Sequence, residues 1–345
     1  MIPHARHAIT DDDRAAVMAV LDSPRLTQGE KVAEFEASLC AASGARYAVA
    51  VSSGTAALWC AAGVRTRLAA DNDVRLRVTV PAITFVATAN AFRLHGAEVV
   101  IGDIDPATWC MKPPGVMVTF AGYPCETDDT TRIVDAAHGP LRKGGEFMRC
   151  LSFHPSKAFT TGEGGAVLTD VVGAYEALCR WRDNGRATAA EQPQFAGLNL
   201  RMSDIHAALG ISQLRRYPSW QARRRAIAAH YWSEFASIEC QGQHRHPDHA
   251  YHLFILWLDP ARYNRDDVRG RLAERGVGTQ IHYEPLYRLP EYVDVYASTH
   301  STYKPPQRYP NAERYYAGCL SIPMSHTLTD GEVEHVVKSV KEVLA

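Results

Sequence analysis

The sequence predicts an α/β protein with a mostly parallel sheet, followed by a smaller α+β unit. Short apolar runs of strand length alternate with helix-period stretches from Tyr47 to Arg182, the pattern of strands joined by crossover helices. Beyond Ser203 the alternation gives way to longer helices and then to isolated strands. The chain has 345 residues, of which 46% are hydrophobic, enough for two cores at about 150 residues per domain. The expected division is a large unit over 1–215 and a smaller one over 216–345.

Thr10 to Asp13 reads as a capping box, with apolar periodicity through Leu21. A second helix is predicted over Lys31–Cys40, then a buried strand over Tyr47–Val51. Ser52-Ser53-Gly54-Thr55 ends that strand, and an Ala-rich helix follows. Arg77–Val80 is strand-like and Phe85–Leu94 helix-like. Strands are expected at Glu98–Ile101, Val116–Phe120, Arg132–Asp135, Arg149–Phe153 and Ala166–Thr169, with a helix over Ala174–Arg182. Ser203 is placed to cap a helix through Leu214, and Pro218 separates it from one ending near Phe235. A strand at His252–Leu258, a helix at Arg265–Arg275 and a strand at Gly278–His282 come next. Thr329 and Glu332 form a capping box for a terminal helix.

Charge and cysteine usage narrow the function. The formal net charge is −1, which argues against a nucleic-acid binder with a broad basic face. No apolar run reaches the roughly 18 residues of a membrane span, and the N-terminus lacks a signal-peptide core. A cytoplasmic enzyme is expected. The 8 cysteines are scattered with no CxxC spacing, so free buried thiols are expected and no metal site. His244, His246, His249 and His252 crowd one segment and could be ligands, but a polar loop beside Pro247 is the better reading. Arg223, Arg224 and Arg225 read as a solvated helix face.

The segment richest in chemistry runs from Ser152 to Gly165. Lys157 lies between a strand end and a glycine-rich turn, among small and aromatic residues that could desolvate it and lower its pKa. Such a lysine can form a Schiff base. Asp135 closes a buried strand, where α/β sheets bind ligands, although an acid there can also serve as a cap. Ser53-Gly54-Thr55 stands where a helix N-terminus can hold phosphate, or where a plain turn can sit. Phe85 could stack on a flat ring or join the core. The order of phosphate turn, aromatic, aspartate and lysine suggests pyridoxal 5′-phosphate, which needs a carboxylate at its ring nitrogen.

These residues resemble the DegT/DnrJ/EryC1/StrS sugar aminotransferases, pyridoxal-phosphate enzymes of fold type I. The resemblance runs from Leu26-Thr-Gln-Gly29 through Ser52 to Leu58, Thr84 to Asn90, Asp135-Ala-Ala-His138, Ser152 to Gly165 and Gly197 to Leu209. It closes with Gly276 to Tyr283 and Leu320 to Met324. It implies that Lys157 holds the cofactor and moves the proton. It implies that Asp135 pairs with the ring nitrogen, that His138 lies near the ring and that Phe85 stacks on it. Gly54, Thr55 and Ser152 would bind the phosphate. Asn199 would reach the phosphate of a neighbouring subunit, which implies a homodimer. His282 and Tyr283 would line the sugar pocket. Arg201 could bind the donor carboxylate or form a structural ion pair.

The implied reaction moves the amine of L-glutamate to a nucleotide-linked keto-sugar. Phe120 to Cys125 and Ser152 to Gly165 look most like the branch that aminates UDP-4-keto-6-deoxy-N-acetyl-L-altrosamine. Transamination of a non-sugar ketone or aldehyde, and a non-catalytic cofactor-binding relic, are the other readings. The chain departs from the family in one region. Ala121–Thr131 is at the lower limit for a parallel crossover, and Pro124, Thr127, Asp128, Asp129, Thr130 and Thr131 are poor helix formers. Pro106–Val116 and Gly139–Cys150 are also short. A covering helix is expected to be missing there, leaving that face to a partner subunit or to solvent, in an active and compact variant.

Overall fold

The computed structural model describes residues 1–125, 132–236, 245–293 and 305–345. Thr127 to Thr131, Cys240 and His244 therefore lie outside the described residues. The seven described cysteines are free, and six are buried.

The central sheet is built from β1 (Tyr47–Val51), β4 (Met117–Val118), β5 (Ile133–Asp135), β6 (Met148–Ser152) and β7 (Gly165–Thr169), in the order β1-β7-β6-β5-β4. β2 (Arg77–Pro81) and β3 (Glu98–Gly102) pair in parallel and extend this sheet. The join is the Val116 N–H, which donates to the Thr79 carbonyl at 2.9 Å. β4, β5 and β6 are parallel, whereas β7 runs antiparallel to both β6 and β1. β6 and β7 are joined by a loop over 153–164 with no helix, and neighbours joined without a crossover pair antiparallel.

The helices around this sheet follow from their apolar faces. α3 (Gly54–Ala70) buries Ala57, Cys60, Ala61 and Val64, and its Gly63 lets Trp181 approach where a Cβ would lie 2.8 Å from the indole. α4 (Ala87–Arg93) and α5 (Val172–Arg182) complete the layer. α1 (Asp11–Leu21) and α2 (Glu30–Ser43) pack on α6 (Asp204–Leu214). Ser203 caps α6 by accepting from His206 N–H.

The neighbouring Asp204 does a second job. Its buried carboxylate accepts from the Gly29 and Val32 N–H groups at 2.7 and 3.1 Å, so it caps α2 from another element. A Cβ at Gly29 would sit 2.9 Å from that carboxylate, which explains the glycine in Leu26-Thr-Gln-Gly29.

A second core gathers α7 (Tyr217–Glu234), β8 (Phe254–Trp257), α8 (Arg265–Glu274), β9 (Cys319–Ile322) and the terminal helix α10 (Asp330–Leu344), with α9 (Pro310–Gly318) beside it. α10 presents Val333, Val336, Val337 and Val340 to this core, the three-and-four spacing of an amphipathic helix. Its capping box forms between Thr329 and Glu332. The first residues of the chain join this part of the molecule. Ile2 N–H donates to Gly276 O, and Gly278 N–H donates to Ile2 O.

Three expectations are corrected. Gly278–His282 is not a strand, because Val277 pairs with Ile2 on one side and Gln280 with Ser321 on the other, one residue each. β4 stops after two residues, because Ala121 and Gly122 take φ of 56° and 103°. Arg224 is not solvated: it is buried and donates to the carbonyls of Tyr251, His252 and Met324. His246 and His249 lie in a loop, as expected, each ring accepting a backbone N–H, from Asp248 and Tyr251. The helix expected to be missing is absent among the described residues, since no α-helix lies between β3 and β6. No described helix is long and apolar enough to cross a membrane.

The Asp204 cap carries a prediction. Asp204→Ala leaves two helix N–H groups unpaired in a buried setting and should destabilise the protein by about 2 kcal/mol. Urea unfolding monitored by circular dichroism measures it, with Asp204→Asn losing less.

Candidate active site

A cavity of about 480 Å³ opens at the carboxyl ends of the parallel strands. Three strand ends meet at one side of it. Ser53, after β1, is extended, and its Oγ accepts from Ala56 N–H at 3.0 Å to start α3. Ser152 closes β6, and a Cβ on Gly54 would lie 2.7 Å from the Ser152 Cβ. Gly165 opens β7, where a Cβ would meet the Ser53 carbonyl at 2.4 Å. Both positions admit only glycine. The result is a cradle of hydroxyls and free helix N–H groups with the positive end of a helix dipole, suited to a phosphate.

Asp135, the last residue of β5, forms the floor. It is 5% exposed. One carboxylate oxygen accepts from Thr88 Oγ1 at 2.6 Å and the other from Ala137 N–H at 3.1 Å. Because Thr88 donates to the carboxylate, Thr84 must donate to Thr88, 2.8 Å away. Burial pushes the Asp135 pKa up, while Thr88, Ala137 and the Lys157 charge pull it down.

Lys157 faces Asp135 from the loop after β6. That loop is tied by Phe153 N–H to Gly164 O, Thr161 N–H to Phe153 O and Lys157 N–H to His154 O. No protein group accepts from the Lys157 ammonium among the described residues. Burial lowers its pKa from 10.5 to about 8, against the opposing charge of Asp135.

Phe85, 55% exposed, covers the cavity from the loop before α4. Tyr283 stands 5.9 Å from it, ring to ring. The Tyr283 hydroxyl is 3.2 Å from His138 Nε2. Behind His138 lies His252, with ring centroids 4.2 Å apart. His4 and His282 pair at 5.0 Å, and His282 Nδ1 bonds Ser321 Oγ. Burial holds all four histidines below their ordinary range, His4 at about 4 and His282 at about 3.

The structure thus brings Gly54, Thr55, Phe85, Asp135, His138, Ser152, Lys157 and Tyr283 around one cavity. His282 stands behind its wall rather than in it. Asn199 and Arg201 lie elsewhere. Asn199 is exposed and bridges Asp183, and Arg201 forms an ion pair with Asp183. Arg201 lines a separate cavity of about 220 Å³ with Gln28, Glu36 and Arg182. Sequence reasoning missed Thr84, Thr88 and His252 as parts of the site. Thr84 and Thr88 were visible as two hydroxyls one helical turn apart, just before Asn90.

A lysine and a buried carboxylate facing each other beside a phosphate cradle define an aminotransferase of the pyridoxal-phosphate class. The chain belongs to the DegT/DnrJ/EryC1/StrS aminotransferase family, whose sequence model matches residues 7–119 and 132–341. It is similar to the spore coat polysaccharide biosynthesis protein SpsC of Bacillus subtilis, 29% identical over 388 aligned positions, covering 99% of this chain and 97% of SpsC. Helicobacter pylori PseC, an aminotransferase involved in the biosynthesis of pseudoaminic acid, superposes with TM-score 0.88 at 25% identity, covering 99% of both chains. The putative sugar aminotransferase Spr1654 of Streptococcus pneumoniae, in its PMP form, gives 0.86 at 25% identity, covering 99% of this chain and 97% of that one.

The family cofactor is pyridoxal phosphate, and the residues present fit it. Gly54 and Gly165 let the strand ends close up so that the start of α3 and the Ser152 hydroxyl meet at the cavity, where a phosphate would be held. Lys157 and Asp135 line the same cavity, close enough for their charges to interact.

The low Lys157 pKa can be read directly. Modification by trinitrobenzenesulfonate, which needs the neutral amine, should rise with pH through a midpoint of about 8, against the 10.4 or so of a free lysine. Peptide mass spectrometry at Lys157 across pH 6 to about 11 measures it.

Proposed function

We propose that the protein transfers the amino group of L-glutamate to the ketone of a nucleotide-linked deoxy sugar, with UDP-4-keto-6-deoxy-N-acetyl-L-altrosamine the favoured acceptor. The observation that carries this reading is the Lys157–Asp135 pair across one cavity. The similarity to PseC over 99% of both chains supports the sugar class.

In this reading Gly54, Thr55 and Ser152 hold the cofactor phosphate, Phe85 stacks on the ring and His138 flanks it. Asp135 pairs with the ring nitrogen, and the Thr88 and Ala137 donors favour its ionised form against its burial. The cofactor, when bound, supplies an electron sink for the C–H bond that breaks. Lys157 holds it covalently and then, as a free amine, takes the proton from the donor carbon and returns it. A pKa of about 8 suits both directions near neutral pH. Exposed Asn199 completes the phosphate site of a second copy, so the working unit is a homodimer. Arg201 would have to exchange its ion pair with Asp183 for the donor carboxylate. Residues 1–215 carry the cofactor, and the smaller unit over 216–345 closes the cavity with Tyr283, His282 behind it. The enzyme acts in the cytoplasm.

The purified protein, reconstituted with pyridoxal phosphate, should show a visible band that L-glutamate removes and a nucleotide-linked keto-sugar restores. Absence of the band in wild type would sink the reading. Lys157→Ala should abolish the band and turnover. Thr88→Val removes a hydrogen bond to a charged group, worth about tenfold or more in cofactor affinity, measured by equilibrium titration of the cofactor-free protein. Unchanged affinity would refute the role given to Asp135 and Thr88.

A further inference from the structure

The two ring nitrogens of His138 differ in their surroundings. Nε2 lies 3.2 Å from the Tyr283 hydroxyl. Nδ1 is buried without a hydrogen-bond partner among the described residues. The ring is neutral, because burial and then the Lys157 charge oppose an imidazolium. A neutral imidazole carries one N–H, placed by the partners each nitrogen can find. A buried N–H without an acceptor is rarer and costlier than a buried lone pair without a donor. The proton therefore sits on Nε2, which donates to the Tyr283 oxygen.

A phenol that accepts this bond keeps its own O–H free to donate. Tyr283 lines the cavity beside Lys157, so that O–H has the ligand space before it. The other hydroxyls around the cavity are engaged or distant. Ser156 pairs with His154 at 2.9 Å, and Ser53, Thr55 and Ser152 belong to the phosphate cradle. Burial raises the Tyr283 pKa well above its ordinary value, so the phenol remains a donor rather than an ionising acid. His252, stacked on His138, fills the space behind the ring and offers it no acceptor.

We propose that Tyr283 is a catalytic hydrogen-bond donor to the carbonyl oxygen of the ketone that accepts the amine, and that His138 is the positioning residue that aims it. The assignment rests on the aminotransferase reading. When an amine attacks a ketone carbon, negative charge builds on the oxygen. A fixed donor there stabilises that charge more than it stabilises the bound ketone. No proton leaves Tyr283, and no bond to it forms or breaks.

The test uses holoenzyme converted with L-glutamate, freed of excess and mixed with 2-oxoglutarate as the ketone probe. Return of the visible band in a single turnover is the readout. Tyr283→Phe should slow it by about 10²- to 10³-fold, with the half-saturating concentration changed by less than about tenfold. His138→Leu should slow it too, and the double variant should be no worse than Tyr283→Phe within about threefold, because both act on one bond. Nitrogen-15 NMR of histidine-labelled holoenzyme, with His138 assigned through His138→Asn, should show Nε2 protonated and Nδ1 bare. The Nδ1–H tautomer would overturn the assignment, and so would a Tyr283→Phe variant that returns the band at the wild-type rate. A wild type with no band, or none responsive to glutamate, fails the aminotransferase reading itself and takes this assignment with it.

Discussion

The electrostatics of the cavity depend on one buried carboxylate. Asp135 opposes the desolvation of Lys157, and no other group is seen to do so. Around it stand buried histidines kept neutral, and Arg224, whose guanidinium is held by backbone carbonyls. Burial brings the Arg224 pKa down to about 10. Burial disfavours every added proton here, so the Lys157 pKa falls to about 8 and the imidazoles stay uncharged. The geometry depends on Asp135 as well. Thr88 reaches it from α4, which holds α4 over β5 and sets the loop that carries Phe85. Asn90 on the same helix accepts from the Tyr292 hydroxyl at 2.6 Å, and Leu286 N–H donates to Ala82 O. The segment bearing Tyr283 is thereby fixed against the strand end that precedes Phe85.

Much of this was legible in the sequence because it rests on local signals. Strand ends, capping boxes and the lysine loop are written in neighbouring residues, and Ser203, Thr329 and Lys157 stand where those signals put them. What was not legible depends on distant partners. Arg224 looked solvated within its run of three arginines, and only the return of Tyr251, His252 and Met324 around it makes it internal. Asp204 reads as a first-turn acid of α6, yet its partners belong to α2. His252 looked like a strand start, and its place against His138 needs the second core to be in position. The reversal of β7 could have been read, since the segment between Phe153 and Gly165, with Pro155, Gly162 and Gly164, is poor helix material.

The turn after β4 supports one wall of the cavity. The family match breaks over 120–131, just past that turn. The described residues leave a cavity of about 500 Å³ at the amino ends of β2, β4 and β5, between Arg65, Arg77 and Arg132. That is the end of the sheet away from Asp135. The crossover begins at the functional end, however, and there it is pinned. Ala121 and Gly122 accept from the Leu253 and Ala250 N–H groups at 3.1 and 2.8 Å. At Gly122, φ is 103° and a Cβ would stand 2.8 Å from Tyr251 N, so a glycine is required for the two chains to meet. This contact holds His252 behind His138, and Phe120 packs 6.2 Å from both His138 and Tyr283. The first turn of the crossover therefore supports the polar wall of the cavity.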